Sequence, residues 1–149
     1  MNDNEYYMKL ALKEAEKAYK KNEVPVGAVI VVDDKIISKG YNLRESSKNI
    51  LNHAELIAIQ RASKKKKDWR LTDAIMYVTL YPCPICASAI VQSRIKKVVI
   101  GAPTKDNNTK QIVDLIFEGN STSPKIEVIN GILENECKSI LSNFFKEKR

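Results

Sequence analysis

The 149-residue chain has few of the residues that bind metals or form disulfides, and it has no long apolar run. Without about eighteen consecutive apolar residues, no membrane-spanning helix is expected. The segment from Met1 to Glu5 is acidic and lacks the basic-then-apolar pattern of a secretory signal, so we expect a cytoplasmic protein. In a reducing compartment, the three cysteines favour metal or redox chemistry over a structural disulfide.

Length and composition predict one globular domain over residues 1–149. The apolar fraction of 44% and the charged fraction of 29% are ordinary for such a domain. The 25 basic and 18 acidic residues give a net charge of +7, which suits a polyanionic partner such as nucleic acid. A lysine-rich solvated surface without a partner would give the same charge, so net charge does not decide between the two.

Apolar periodicity predicts helices that alternate with short buried strands. Helices are predicted at about residues 3–21, 53–65, 84–93, 112–117 and from 134 onward, and strands at about 28–32, 35–40, 74–80, 98–100 and 126–129. The polar segments 41–52 and 103–111 are predicted to be loops. The last helix carries an apolar stripe that includes Cys137, Phe144 and Phe145, so we assign Cys137 to core packing. The pattern indicates an α/β layered domain.

Three soft metal ligands stand out in this pattern. His53 is the only histidine, and Cys83 and Cys86 form a C-x-x-C pair that begins 30 positions later. Three protein ligands and an open fourth position are typical of a catalytic zinc site. His53 and the cysteine pair each lie at a predicted helix start. There the helix dipole favours the thiolate form of cysteine that a metal needs. We therefore predict that His53, Cys83 and Cys86 bind one Zn²⁺ per chain, with zinc preferred because the ligands are soft.

Glu55 follows His53 by two residues and supplies a carboxylate close to the predicted metal. A zinc ion with an open position lowers the pKa of water, and a nearby carboxylate can accept and deliver the proton. With an aromatic amine as substrate, water adds to the ring carbon that bears the amine, and ammonia leaves. The pattern predicts hydrolytic deamination of a nucleobase, with Glu55 as the general acid–base residue.

Each part of this motif also has a less specific interpretation. A C-x-x-C at a helix start is typical of a thioredoxin-like redox pair, or of half of a structural four-ligand zinc site. A His-x-Glu sequence alone carries almost no information. The combination favours the catalytic interpretation, because the only histidine precedes Glu55 and Pro82 precedes the first cysteine.

His-x-Glu and Pro-Cys-x-x-Cys together form the signature of zinc deaminases that act on nucleobases. Over nearly its whole length the chain resembles the bacterial tRNA-specific adenosine deaminases. Further matching stretches are residues 23–28, 41–45, 69–71, 93–95, 131–133 and 141–146. The resemblance implies a cytidine deaminase-like three-layer α/β fold, with a mixed five-stranded sheet flanked by helices, and a homodimer.

The resemblance also implies a reaction and a set of substrate contacts. Family members convert the wobble adenosine of a tRNA anticodon to inosine, with the base flipped into the pocket. Asn42 matches an asparagine that contacts the target nucleoside, and the Ala54 backbone amide lies where the base is read. Phe145 matches a C-terminal segment that helps hold the anticodon loop. The implied partner is a tRNA anticodon stem-loop.

Two departures from the family concern the substrate. Tyr81 stands where the family usually has glutamate, and segment 103–110 lacks glycine and has Thr104 where aspartate is common. A deaminase of a free nucleobase or nucleoside, such as guanine, cytosine or cytidine, would carry the same zinc motifs and is the alternative. A non-catalytic zinc-binding subunit would be expected to lack Glu55. Basic clusters favour RNA; they are Lys64–Lys67, Arg94 with Lys96 and Lys97, and Lys146 with Lys148 and Arg149.

Overall fold

The computed structural model describes residues 2–148, which build a mixed five-stranded β-sheet with helices on both faces. In chain order the elements are α1 Asp3–Lys20, β1 Gly27–Val32, β2 Lys35–Tyr41, α2 Arg44–Ser47, α3 Ala54–Lys66, β3 Ile75–Leu80, α4 Pro84–Gln92, β4 Lys97–Ala102, α5 Asn107–Glu118, β5 Glu127–Ile129 and α6 Glu134–Glu147. None of the helices in this range combines the length and the apolar composition needed to cross a membrane.

The strand order in the sheet is β2-β1-β3-β4-β5. β1 pairs antiparallel with both β2 and β3, and the β1–β2 hairpin confirms the prediction for residues 28–40. β3 and β4 are parallel, as are β4 and β5. Parallel neighbours need a crossover on one face of the sheet, and α4 and α5 provide the two crossovers. The sheet is therefore mixed and five-stranded, as predicted.

Two apolar layers cover the two faces of the sheet. Along β1, Ala28 and Ile30 pack with α3, α4 and α5, whereas Val29 and Val31 pack with α1 and α6. Successive strand residues point to opposite faces, so a continuous apolar run such as this one is buried on both sides. The result is the predicted three-layer α/β fold.

Glycines in the strands let helices approach the sheet closely. A Cβ atom at Gly27 would collide with the backbone of α1, and one at Gly101 in β4 would collide with Cys137 Sγ in α6. Cys137 is fully buried in the apolar layer between β4 and α6. The prediction that Cys137 belongs to the core is confirmed.

The prediction of loops at 41–52 and 103–111 is wrong in part. The first segment contains the short helix α2, and the second becomes helical from Asn107 onward. Asp106 is the N-cap of α5, because its carboxylate accepts hydrogen bonds from the backbone N–H groups of Asn108 and Thr109. The first turn of α5 is polar because it faces solvent, and the buried residues Val113 and Phe117 come only later in the helix.

The apolar stripe of the last helix is narrower than predicted. Phe144 is 5% exposed and packs against Tyr19 of α1, whereas Phe145 is 48% exposed. Neighbouring residues on a helix point about 100° apart, so the two phenylalanines cannot both face the core. The assignment of Phe145 to the buried stripe is therefore wrong.

Candidate active site

Two helix starts bring the predicted metal ligands together at one edge of the sheet. His53 is the N-cap of α3 and Cys83 is the N-cap of α4, with Cys86 in the first turn of the same helix. Pro84 is the first residue of α4, where its missing N–H costs no hydrogen bond, as predicted. Because α3 and α4 lie side by side on the same face of the sheet, their N-terminal ends meet.

The three ligand side chains have the spacing that zinc requires. His53 Nδ1 lies 3.7 Å from Cys83 Sγ and 3.5 Å from Cys86 Sγ. A tetrahedral zinc ion, with Zn–N of about 2.0–2.1 Å and Zn–S of about 2.3 Å, holds nitrogen and sulfur ligands about 3.6 Å apart. His53, Cys83 and Cys86 thus form a zinc-binding triad, as predicted.

The electrostatics of the two thiols also suit a metal. A hydrogen bond from Cys86, reinforced by one with His53, lowers the pKa of Cys83 to about 4. Cys86 donates that hydrogen bond from a buried position, and both effects raise the pKa of its own thiol. One thiolate therefore exists at neutral pH before a metal binds, and a bound cation favours deprotonation of the second.

Glu55 lies beside the triad in the first turn of α3 and is only 4% exposed. Burial raises the pKa of its carboxyl group to about 7, and the neighbouring Cys83 thiolate acts in the same direction. The cause is desolvation, which disfavours the charged form of a carboxyl group. A carboxyl group with this pKa is present in both protonation states at neutral pH.

A cavity of about 190 Å³, here called the zinc-site pocket, opens beside the triad. Its lining consists of Val24, Val26, Asn42, Arg44, His53, Ala54, Glu55, Leu80, Tyr81 and Cys83. The structure thus brings Asn42, Ala54 and Glu55 together with two of the ligands. It adds Arg44 and Tyr81, which sequence reasoning did not assign to the site.

Phe145 does not line the zinc-site pocket but lies in a neighbouring hollow of about 490 Å³, here called the outer groove. Val24 and Leu80 line both hollows, so the two are adjacent. The groove is also lined by residues 103–105 and by side chains of α6, among them Lys138 and Lys146. Of the predicted substrate contacts, Asn42 and Ala54 line the zinc-site pocket, and Phe145 lies in the outer groove next to it.

Asn42 is held at the pocket by backbone contacts on both sides. Its Nδ2 donates to the carbonyl of Val24 at 3.2 Å, and its Oδ1 accepts from the N–H of Arg44 at 3.1 Å. These bonds fix which end of the amide carries the oxygen. One N–H of Nδ2 and one lone pair of Oδ1 are left for a ligand.

Glu23 is a supporting residue that sequence reasoning missed. It is buried beneath α2, and its carboxylate accepts hydrogen bonds from the N–H of Glu45 and from the N–H and hydroxyl groups of Ser46. Burial by itself would raise the pKa of Glu23, but these hydrogen bonds outweigh it and hold the pKa below its ordinary value. Glu23 thereby anchors the segment that carries Asn42 and Arg44. The local signal was an acid directly before the apolar Val24-Pro25 stretch.

Comparison with known proteins identifies the family. Residues 1–102 match the family described as the cytidine and deoxycytidylate deaminase zinc-binding region. The tRNA-specific adenosine deaminase of Bacillus subtilis (strain 168) is 44% identical over 149 residues, which cover 100% of this chain and 92% of that protein. The chain belongs to the tRNA-specific adenosine deaminase family. The resemblance found in the sequence is confirmed.

Solved structures agree with this membership of the tRNA-specific adenosine deaminases. A structure from a study of A-to-I editing by tRNA:A34 deaminases at the wobble position of transfer RNA is 34% identical, with a TM-score of 0.84 over 91% of this chain and 99% of its own. A guanine deaminase from Nitrosomonas europaea is 16% identical, with a TM-score of 0.79 over 97% of this chain and 85% of its own. At that identity the second likeness shows the fold alone.

Proposed function

We propose that this protein converts the wobble adenosine of a tRNA anticodon to inosine and releases ammonia, by zinc-dependent hydrolysis. The observation that carries the proposal is the 44% identity, over the whole chain, to a tRNA-specific adenosine deaminase. The chemistry of the site supports it, because the zinc-binding triad lies beside a buried carboxyl group whose pKa is about 7.

The proposed mechanism gives Glu55 the proton transfers. Zinc held by His53, Cys83 and Cys86 would supply Lewis acidity that lowers the pKa of water. Glu55 accepts a proton from the attacking water as its oxygen bonds to the ring carbon that bears the amine. The carboxyl group delivers this proton to the ring nitrogen. It then takes the second proton of the water from the newly added hydroxyl group and delivers it to the amino nitrogen, so that the C–N bond breaks, ammonia leaves and the C=O bond of inosine forms. A pKa of about 7 suits both directions of transfer at neutral pH.

Asn42 and Ala54 are the proposed contacts to the nucleoside. Ala54 is the first residue of α3, and the first four N–H groups of a helix have no acceptor within that helix. Its N–H group is therefore available to an acceptor atom on the base edge. The amide of Asn42, held in one orientation, offers both a donor and an acceptor from the neighbouring side of the pocket.

The outer groove is the proposed site for the nucleotides that flank the reactive adenosine. Phe145 presents an exposed aromatic ring, on which an unstacked base can lie. Lys105, Lys138 and Lys146 line the same groove, and their charges suit backbone phosphates. This arrangement supports the role of Phe145 that the resemblance implies.

Arg70, which follows the Lys64–Lys67 cluster, and Arg94 of the second basic cluster lie over the same aromatic ring. The backbone N–H of Leu71 donates to the carbonyl of Ser93 at 2.7 Å, which brings the segment after α3 next to the end of α4. Arg70 and Arg94 lie over the Trp69 ring at 4.7 Å and 5.9 Å from its centre. This surface, together with the groove lysines, favours a polyanionic substrate over a free base. In the third predicted cluster, Arg149 lies outside the described residues.

We also propose that the protein acts as a cytoplasmic homodimer of single-domain subunits. Ile50, Leu51 and Ile85 are exposed apolar side chains within three positions of the zinc ligands. Because the ligands converge, these side chains flank the zinc site, and grouped exposed apolar residues are typical of protein interfaces. Sedimentation equilibrium tests the dimer, and a monomer at micromolar concentration would contradict it.

The deciding experiment measures inosine in an anticodon stem-loop RNA that carries adenosine at the wobble position. Free adenosine, cytosine, guanine and cytidine are assayed in parallel, and Glu55→Ala serves as the blank. We expect inosine in the stem-loop only. Turnover of a free base or nucleoside, with no inosine in the RNA, would instead establish the alternative substrate class while keeping the zinc chemistry.

A further inference from the structure

Tyr81 forms one wall of the zinc-site pocket. It follows the last residue of β3 and precedes Pro82 and Cys83. Its side chain is 7% exposed, and its backbone N–H donates to the carbonyl of Ala102 at 2.9 Å. Tyr81 gives the pocket a neutral wall. Among the described residues that line the pocket, Glu55 is the only one with a carboxyl group.

The hydroxyl group of Tyr81 connects this wall to α5. It donates a hydrogen bond to Asp114 Oδ1 in the middle of that helix. The second carboxylate oxygen, Asp114 Oδ2, accepts from Lys110 Nζ at 2.6 Å. Both oxygens of Asp114 are thus engaged, and the carboxylate joins α5 to a residue two positions before a zinc ligand.

α5 in turn carries one rim of the outer groove. The cap at Asp106 fixes the start of the helix, and the segment directly before it, residues 103–105, lines the groove. Thr104 Oγ1 also accepts from the N–H of Asp106 at 3.2 Å. A displacement of α5 would therefore shift this rim relative to the zinc-site pocket.

We propose that Tyr81 is a positioning residue that sets the affinity for a polynucleotide substrate, because its hydrogen bond to Asp114 holds α5 and the 103–105 rim in place beside the zinc-site pocket. The inference rests on the proposed function, since the groove is the proposed site of the flanking nucleotides. Without this hydrogen bond, a smaller fraction of the protein molecules has the outer groove in the conformation that binds the polynucleotide. The apparent dissociation constant then rises by the inverse of the competent fraction.

The test compares variants at both ends of the hydrogen bond, on the wobble-adenosine stem-loop. Tyr81→Phe keeps the ring and removes the donor, and we expect KM to rise about tenfold while kcat stays within about twofold of the parent. Asp114→Ala is expected to have the same effect. Asp114→Asn keeps an acceptor oxygen and should hold KM close to the parent value. The double variant Tyr81→Phe/Asp114→Ala should raise KM no further than Asp114→Ala alone, because the hydrogen bond from Tyr81 is already absent in that single variant.

Tyr77→Phe is the matched control. Tyr77 lies on the same strand, but it packs in the other apolar layer, where its hydroxyl group donates to Asn4 Oδ1. Its removal should leave KM unchanged, and zinc content is measured for every variant. A parent-like KM in Tyr81→Phe, additive effects in the double variant, or a fall in kcat with loss of zinc would each overturn the positioning role. Absence of inosine with the parent protein would instead overturn the proposed function, and this inference with it.

Discussion

At the residue scale, the zinc ligands and Glu55 have separable roles. Glu55 is no ligand of the triad, so Glu55→Ala should retain one zinc per chain. Because the variant has no group to carry the proton, we expect kcat on the stem-loop to fall about 10²- to 10⁴-fold. Metal analysis and single-turnover kinetics on the same sample measure both effects. Activity near the parent level would contradict the role assigned to Glu55.

Cys86 and Cys137 provide a matched pair of positions for substitution, also at the residue scale. Cys86 is a ligand, whereas Cys137 is equally buried but packs against Gly101 on the other face of the sheet. Cys86→Ala should therefore lose zinc and activity together. Cys137→Ala should keep zinc and lower the free energy of unfolding by about 1 kcal/mol, since it removes one buried sulfur atom. Loss of zinc from the Cys137 variant would contradict this division.

At the element scale, the contact between Glu23 and α2 predicts a pH dependence of stability. The pKa of Glu23 is lowered in the folded state by its hydrogen bonds to Ser46 and Glu45. A lowered carboxyl pKa stabilises the fold above the unfolded-state pKa, and that contribution disappears as the pH falls through the folded-state value. At pH 7 we expect Glu23→Gln to lower the free energy of unfolding by about 1–3 kcal/mol.

Urea unfolding of the parent and of Glu23→Gln, measured from pH 7 down to pH 3, checks this prediction. The difference in unfolding free energy should be constant above about pH 5 and should shrink at lower pH. Both proteins lose zinc at low pH, and this shared effect cancels when one unfolding free energy is subtracted from the other. If the difference in unfolding free energy grows as the pH falls, the predicted lowering of the Glu23 pKa in the folded state is contradicted.

At the scale of the whole molecule, the distribution of lysines predicts a response to salt. Each phosphate that a lysine neutralises releases counterions, so kcat/KM on the stem-loop should fall steeply as salt rises. Replacing Lys105, Lys138 and Lys146 with alanine should make the slope of log kcat/KM against log salt shallower by about two. The comparison variant replaces Lys9, Lys13 and Lys35, which are exposed and line neither hollow. Equal slopes for the two triple variants would contradict RNA binding in the groove.

The sequence by itself was sufficient for the parts of this protein that depend on local order. The zinc ligands could be predicted because the single histidine and the C-x-x-C pair are local features of the sequence, and Pro84 marks the start of α4. The strands could be predicted because a continuous apolar run such as Ala28–Val32 is typical of burial on both faces. Family resemblance supplied the architecture of the sheet and the proposed substrate contacts.

Only the tertiary structure decided how distant segments meet. The hydrogen bond from Tyr81 to Asp114 spans 33 positions, and those of Glu23 to Glu45 and Ser46 span 22 and 23. No local pattern encodes such pairs, because they form only after packing has brought their elements together. Packing also decided that Phe144 is buried while Phe145 lines a groove, since both are equally apolar in sequence. The chemistry of the site could thus be read locally, whereas its shape and supports depend on contacts across the fold.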